Sequence, residues 1–218
     1  MITGLILAGG ESRRMGTDKA LIPIKGKSAY IHMSELLLSF CDRVFVSCRE
    51  EQQLTFDSNP NIVGLFDRPA HAGRGPMSGI LSYLSHSADN QVHNADNPLH
   101  ASNPKFITSD IQPQTADNQS INHPNGLLLL GCDYRNMIED TLGRLVAVGQ
   151  TQSRICCYQN HITGFIDPLV AYYPAEILQQ IPEFAKENSS LRQFVEAHNP
   201  CILPTDIQTL QTLRSFDQ

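Results

Sequence analysis

The chain lacks any apolar run long enough to cross a bilayer. Its longest, such as Leu127 to Leu130, are a handful of residues, where a spanning helix needs about 20. No basic leader or small-residue cleavage site precedes the first apolar segment, so a cytoplasmic protein is expected. The six cysteines (Cys41, Cys48, Cys132, Cys156, Cys157, Cys201) form no CxxC pair and mostly sit in apolar runs. They are expected to be reduced, buried thiols. Positive charge is in deficit: 16 Lys and Arg stand against 22 Asp and Glu, for a formal net charge of −6. That balance argues against broad binding to nucleic acid or to an anionic membrane.

What is present suits one well-buried domain. The chain has 218 residues, 41% of them hydrophobic, within the size range of a single core. Residues 3–8 read as a short buried strand ending at Gly9-Gly10. Apolar spacing predicts a helix over 28–40, with Tyr30, Ile31, Met33, Leu36, Leu37 and Phe40 on one face. Residues 43–48 and 61–66 read as the second and third strands. Gly75-Pro76 opens a helix over 77–85, since proline suits a first turn whose N–H has no partner. From about 86 to 125 the composition turns to Asn, Asp, Ser, His, Gln and Pro, with strand-like content only at 105–108. This predicts a flexible polar insertion within the one domain spanning 1–218. Periodic structure resumes with a strand at 126–130, a helix at 138–148, strands at 154–158 and 166–172, and three short helices near 175–181, 189–198 and 206–216. Alternating strands and helices predict a Rossmann-like, three-layer α/β fold with a mostly parallel, mixed sheet. Ligands in such sheets sit at the carboxyl ends of strands. The loop after Ala8, Asp67 after the third strand and Asp133 after the fourth all fall there.

The loop after the first strand reads Leu7-Ala8-Gly9-Gly10-Glu11-Ser12-Arg13-Arg14-Met15-Gly16-Thr17-Asp18-Lys19. It is neither a Walker A sequence nor GxGxxG. Glycines after a buried strand let backbone N–H groups approach an anion, and Arg13, Arg14 and Lys19 can neutralise a triphosphate. The plainer reading is a solvated basic turn. For Asp133 the plainer reading is a helix cap. Gly75 and Gly79 serve either close approach to a ligand or tight helix packing.

Leu7-Ala8-Gly9-Gly10-x-Ser12-x-Arg14-Met15-Gly16-x-Asp18-Lys19 resembles the signature of the molybdenum cofactor guanylyltransferases, the MobA-type family within the nucleotidyltransferase-like group. Gly75-Pro76-Met77-Ser78-Gly79 is similar to the family's Gly-Pro-Leu-Ala-Gly, and Cys132-Asp133 to its Cys-Asp-Thr-Pro. The resemblance implies that GTP is bound by Leu7, Ala8, Gly9, Gly10, Lys19, Ser47 and Asp67, and Mg²⁺ by Asp133. Lys19, Arg14 and Asp133 would be catalytic, with Arg13 a weaker choice. It implies transfer of GMP to the phosphate of molybdopterin or Mo-molybdopterin, with cofactor-handling and molybdoenzyme-maturation proteins as partners. Gly9-Gly10 and Asp18-Lys19 favour GTP over CTP, because the related cytidylyltransferases show Ala-Gly and Asn-Lys there. The chain departs from the family pattern at Ser47, where the family has asparagine, and at Tyr134-Arg135 for Thr-Pro. It departs again at Asp167 for a histidine, and across 206–213, where Asp206 and Gln208 replace two asparagines. Arg192 of Leu191-Arg192 is a weak match on the pterin side. Cytidylyl or other nucleotidyl transfer, and a non-catalytic GTP-binding or cofactor-binding adaptor, are the competing readings. His86, His93, His100 and His123 match no metal spacing, Ser12 has no triad partners at recognisable spacing, and Cys156 and Cys157 should point to opposite faces.

Overall fold

The structure, a computed structural model, describes residues 1–10, 18–52, 54–56, 59–93, 106–107, 125–160 and 163–214. Arg13, Arg14 and Ser12, together with His100 and His123, lie outside these residues. In chain order the elements begin with β1 (Ile2–Leu7), a 3-10 turn (Lys19–Leu21), β2 (Pro23–Ile24), β3 (Lys27–Ser28), α1 (Ala29–Leu38), β4 (Arg43–Cys48) and β5 (Ile62–Phe66). A second 3-10 turn (Pro69–His71), α2 (Pro76–His93), β6 (Phe106–Ile107), β7 (Gly126–Gly131), α3 (Glu139–Gln152), β8 (Cys156–Gln159) and β9 (Ile166–Pro174) follow. The last elements are α4 (Ala175–Leu178), α5 (Ile181–Glu187), α6 (Leu191–Ala197), β10 (Cys201–Leu203) and α7 (Ile207–Thr212).

Eight strands form one sheet in the order β10-β8-β9-β7-β1-β4-β5-β6. β9 runs antiparallel to both of its neighbours, and every other pairing is parallel. The expected mixed, mostly parallel sheet is therefore what forms. Parallel strands covered on both faces are continuously apolar, and alternate side chains feed opposite layers. In β7, Leu128 and Leu130 pack with Met33 and Leu37 of α1 and Leu142 and Leu145 of α3. Leu127 and Leu129 pack on the other face with Met77 and Ile80 of α2 and Phe194 and Val195 of α6. Cys156 and Cys157 divide between the same two layers. All six thiols are unpaired, and five of them are buried. No helix among the described residues is long and apolar enough to cross a membrane.

Two expectations need correction. The helix opened by Pro76 does not stop at Ser85 but runs to His93, so the polar segment starts later than residue 86. His86 is buried against Phe45, with ring centroids 5.7 Å apart. Burial, followed by the nearby Arg68 guanidinium, lowers its pKa to about 4. A neutral imidazole in a helix is a core group, which the polar composition around it concealed. The strand-like content expected at 105–108 is found at Phe106–Ile107, which pairs with β5. The short strand β10, the β2–β3 hairpin and α5 were not anticipated. That hairpin turns through Lys25 and Gly26, both at positive φ (49° and 80°), as two-residue hairpin loops of this kind require.

Gly149 in α3 lets the helix rest on the ring of Tyr172, because a Cβ there would lie 2.2 Å from Tyr172 Cδ1. Gly149→Ala gains about 1 kcal/mol in helix propensity, but overpacking costs about 1–3 kcal/mol. The clash is with a buried ring and should win. Thermal unfolding is expected at a melting temperature roughly 2–4 °C lower per kcal/mol of net loss. An unchanged or raised midpoint would show that helix and sheet can separate freely.

Candidate active site

The parallel register of β1 with its neighbours fixes the site. Ala8 N–H donates to Ser47 O at 2.8 Å and Cys132 N–H to Leu7 O at 3.2 Å, which carries the ladders just past the strand ends. Asp67 N–H donates to Cys48 O at 2.8 Å. Gly9, Ser47, Asp67 and Asp133 are thereby brought to one edge of the sheet. β9 is antiparallel to β7, so Asp167 near its start stands at the same edge.

Lys19 begins the first 3-10 turn, which Asp18 caps through Oδ1, accepting from Ala20 N–H at 3.0 Å. That turn places Lys19 Nζ 3.6 Å from Asp133 Oδ2. Both side chains are largely buried, 18% and 21% exposed, so solvent screens this pair less than a surface pair. Two residues 114 apart in the chain, both expected at the site, therefore meet. Asp133 does not cap the following helix, whose N-cap is Ile138.

Asp67 and Gly9 fit each other. A Cβ at Gly9 would lie 2.7 Å from Asp67 Oδ2, so the carboxylate reaches over the loop only because that residue is glycine. Ser47 Oγ–H donates to the other carboxylate oxygen, Oδ1, at 2.5 Å. Loss of hydration raises the Asp67 pKa, and the Ser47 hydroxyl and the Arg49 guanidinium act in the opposite direction. Ser47 is 1% exposed; buried beneath Asp67, it acts through that carboxylate. Gly79 is a packing glycine, because a Cβ there would meet Ser47 Oγ at 2.3 Å and Leu7 Cδ2 at 2.6 Å. Gly75 has open space around it and a φ of 55°, so its role is the turn into α2.

Two features were missed in the sequence. Tyr134 and Asp167, noted only as departures from a pattern, contact each other. The phenol O–H reaches Asp167 Oδ1 at 2.9 Å and Oδ2 at 2.8 Å. Burial, and then the neighbouring carboxylate, keep the Tyr134 phenol far from ionising, so it stays a donor. Burial lifts the Asp167 carboxyl to about 6, opposed by hydrogen bonds from Tyr134 and from the backbone N–H of Leu169. Gln52 is the second feature: it is buried, with Nε2 donating to Ala8 O at 2.9 Å and to Asp18 Oδ2 at 2.6 Å. No sequence signal marked it, since Arg49-Glu50-Glu51-Gln52 reads as a solvated loop. Asp206 caps α7 by accepting from Thr209 N–H at 2.7 Å. Arg192 lies over the Phe165 ring, 4.3 Å from its centroid.

A family model described as MobA-like NTP transferase domain matches residues 4–201. Over 178 residues, 81% of this chain, the sequence is 30% identical to a molybdenum cofactor biosynthesis bifunctional protein of Synechocystis, of which the match takes in 40%. A molybdenum cofactor guanylyltransferase of Rhodobacter capsulatus is 36% identical over 92 residues, 40% of this chain and 44% of that protein. The chain spans less than half the length of these two relatives. Among solved structures, the molybdopterin-guanine dinucleotide biosynthesis protein A of Archaeoglobus fulgidus superposes with a TM-score of 0.64 at 16% identity. That superposition covers 98% of this chain and 91% of the other, a likeness of fold.

The Asp167 carboxyl generates a pH prediction. Its folded-state pKa, about 6, lies above its ordinary value of 3.8. The folded state thus holds the proton more tightly. Its contribution is favourable below pH 4 and is lost as pH rises through 6. Asp167→Asn keeps an acceptor for Tyr134 without the charge. Its melting temperature should gain on the native chain by roughly 5 °C between pH 4 and pH 7.5, measured by calorimetry. A gap that stays constant across that range would show that Asp167 is not paying for burial.

Proposed function

We propose, because the chain belongs to the MobA-like NTP transferase family, that it transfers GMP from GTP to the phosphate of molybdopterin or Mo-molybdopterin. The products are the guanine dinucleotide form of the cofactor and pyrophosphate. The observation that carries this reading is the approach of Lys19 Nζ to Asp133 Oδ2 at 3.6 Å. It sets a cation from the glycine loop beside a carboxylate at the next strand end, as a triphosphate and its counter-ion would require.

The acceptor's phosphate is already anionic, so no general base is needed to form the nucleophile. Its oxygen attacks the α-phosphorus of GTP, and the bond to the leaving pyrophosphate breaks. The main barrier is repulsion between two anions, so positioning and charge neutralisation supply the catalysis. Lys19 donates to phosphate oxygens from the first loop, the open backbone at Gly10 admits the anion closely, and Gly9 makes room for Asp67 beside it. Arg14, with Arg13 behind it, belongs to the same role by sequence.

Asp133 is the residue to hold Mg²⁺. The described residues contain no cluster of three or more His, Cys, Asp or Glu side chains that would hold a metal ion on their own. Asp133, a partly exposed carboxylate at a strand end, fits Mg²⁺, which keeps its waters and takes one or two carboxylates plus substrate phosphates. When bound, the ion neutralises charge on the reacting phosphates. Asp67 supports guanine as the base. Guanine offers N1–H and N2–H as adjacent donors to one carboxylate, whereas the cytosine edge has acceptors beside its single amine.

Pyrophosphate release in the presence of molybdopterin, Mg²⁺ and each nucleoside triphosphate tests the reading, with GTP expected to be the substrate. Turnover with CTP in preference to GTP would move the base assignment. Binding of GTP with no turnover would support the adaptor reading. Lys19→Ala is expected to lower kcat/KM by about 100-fold or more, and near-native turnover would remove Lys19 from the site. Asp133→Asn should move the Mg²⁺ dependence to higher concentration by on the order of tenfold, about 1.4 kcal/mol. An unchanged Mg²⁺ titration rejects the ligand role.

A further inference from the structure

The first loop is bracketed by Ala8 at the end of β1 and Asp18 at the start of the Lys19 turn. One side chain from elsewhere in the chain bonds both brackets. Gln52, 5% exposed, donates its two amide hydrogens to Ala8 O (2.9 Å) and Asp18 Oδ2 (2.6 Å). Its oxygen accepts from Arg49 N–H at 2.8 Å. This pattern fixes the amide's orientation: turned over, its oxygen would face two acceptors and its nitrogen a donor. The neighbouring Glu50 and Glu51 are exposed, so Gln52 is the member of this segment turned inward. Arg49 adds an ion pair to the same Asp18 oxygen at 3.9 Å.

We propose that Gln52 is a positioning residue for the nucleotide's polyphosphate. It touches no substrate atom. It fastens the end of β1 to Asp18 and, through Asp18, holds the turn that aims Lys19 at Asp133. The inference rests on the proposed reading of that loop as the triphosphate site. Fixing the Lys19 turn before the ligand arrives lowers the ordering cost of binding. Loss of the clamp should therefore weaken nucleotide binding more than it slows the chemical step.

The test compares the native chain with Gln52→Glu, Asp18→Asn and the double variant. Each is titrated with GTP and Mg²⁺ by calorimetry and assayed for kcat and KM with molybdopterin. Glu at 52 meets both the Asp18 carboxylate and the Ala8 carbonyl where amide hydrogens stood. KM and Kd for GTP are expected to rise about tenfold or more, with kcat within about threefold of native. Adding Asp18→Asn restores a donor between these two side chains, while the Ala8 carbonyl stays without one, and should recover part of the loss. Should Gln52→Glu fail to fold, Gln52→Ala carries the same KM-against-kcat comparison. Native KM in the folded variant, a fall in kcat at unchanged KM, or no recovery in the double variant would each overturn the role of Gln52. A native chain that binds no GTP would instead bring down the functional reading on which this one rests, so the two failures are told apart.

Discussion

The parallel register of β1 between β4 and β7 is the constraint on which the site depends. It brings strand ends far apart in sequence to one level, and the ladder bonds at Ala8 and Cys132 extend that alignment into the loops. No side chain of the site has to be placed independently. Gly9 follows β1, Ser47 sits at the end of β4, Asp67 follows β5 and Asp133 follows β7. Slippage of any one strand would reverse which face each side chain meets. The apolar layers on both faces of the sheet make such slippage costly, so the core and the site are set by the same packing.

Charge at this edge is mostly acidic, and each acidic group is held. The carboxyl groups of Asp18, Asp67, Asp133 and Asp167 stand there, and each has a partner. Asp18 is capped to its turn and bonded by Gln52, Asp67 accepts from Ser47, Asp133 faces Lys19 and Asp167 accepts from Tyr134. Carboxylates held in this way keep fixed positions, and fixed dipoles and charges need no reorganisation when a reaction moves charge. A triphosphate would still be repelled by these groups without cations. Lys19 from the loop supplies one, and the reading of Asp133 as a metal ligand supplies another.

The strand-end placement of these residues was legible in the sequence because each component has a local signature. Buried parallel strands read as apolar runs, and a glycine pair or an aspartate at their ends is easily located. Lys19, Asp67 and Asp133 were found in that way. Gln52 and the Tyr134–Asp167 pair were not, because their meaning lies in partners 34 and 33 residues away. The last two turns of α2 were read as loop because Ser, Asp and Asn dominate there, while the packing of His86 on Phe45 and the ion pair of Arg68 with Asp89 carry the helix onward. Strands of two or three residues, such as β10, give too few alternations to be recognised.

The departures from the MobA-type pattern follow a spatial logic. At Ser47 a shorter hydroxyl replaces an amide, and the hydroxyl donates to Asp67, so the carboxylate proposed to read the base is still held. Tyr134 and Asp167 replace residues in two separate motifs, and each is the other's hydrogen-bond partner. A buried carboxylate without a donor, or a buried phenol without an acceptor, would cost about 1–3 kcal/mol. The two changes therefore belong together: without Asp167 the Tyr134 phenol would lose its acceptor, and without Tyr134 the Asp167 carboxyl would keep only backbone donors such as the Leu169 N–H. Asp206 has become the cap of α7. The first-loop and strand-end positions proposed to meet the nucleotide keep the family's residue types, apart from Ser47. The changed residues assemble a bonded set of their own at the neighbouring strands. The part of the site proposed to receive the acceptor is thus where this chain departs from the family pattern, at the edge to which β9, antiparallel to β7, brings Asp167.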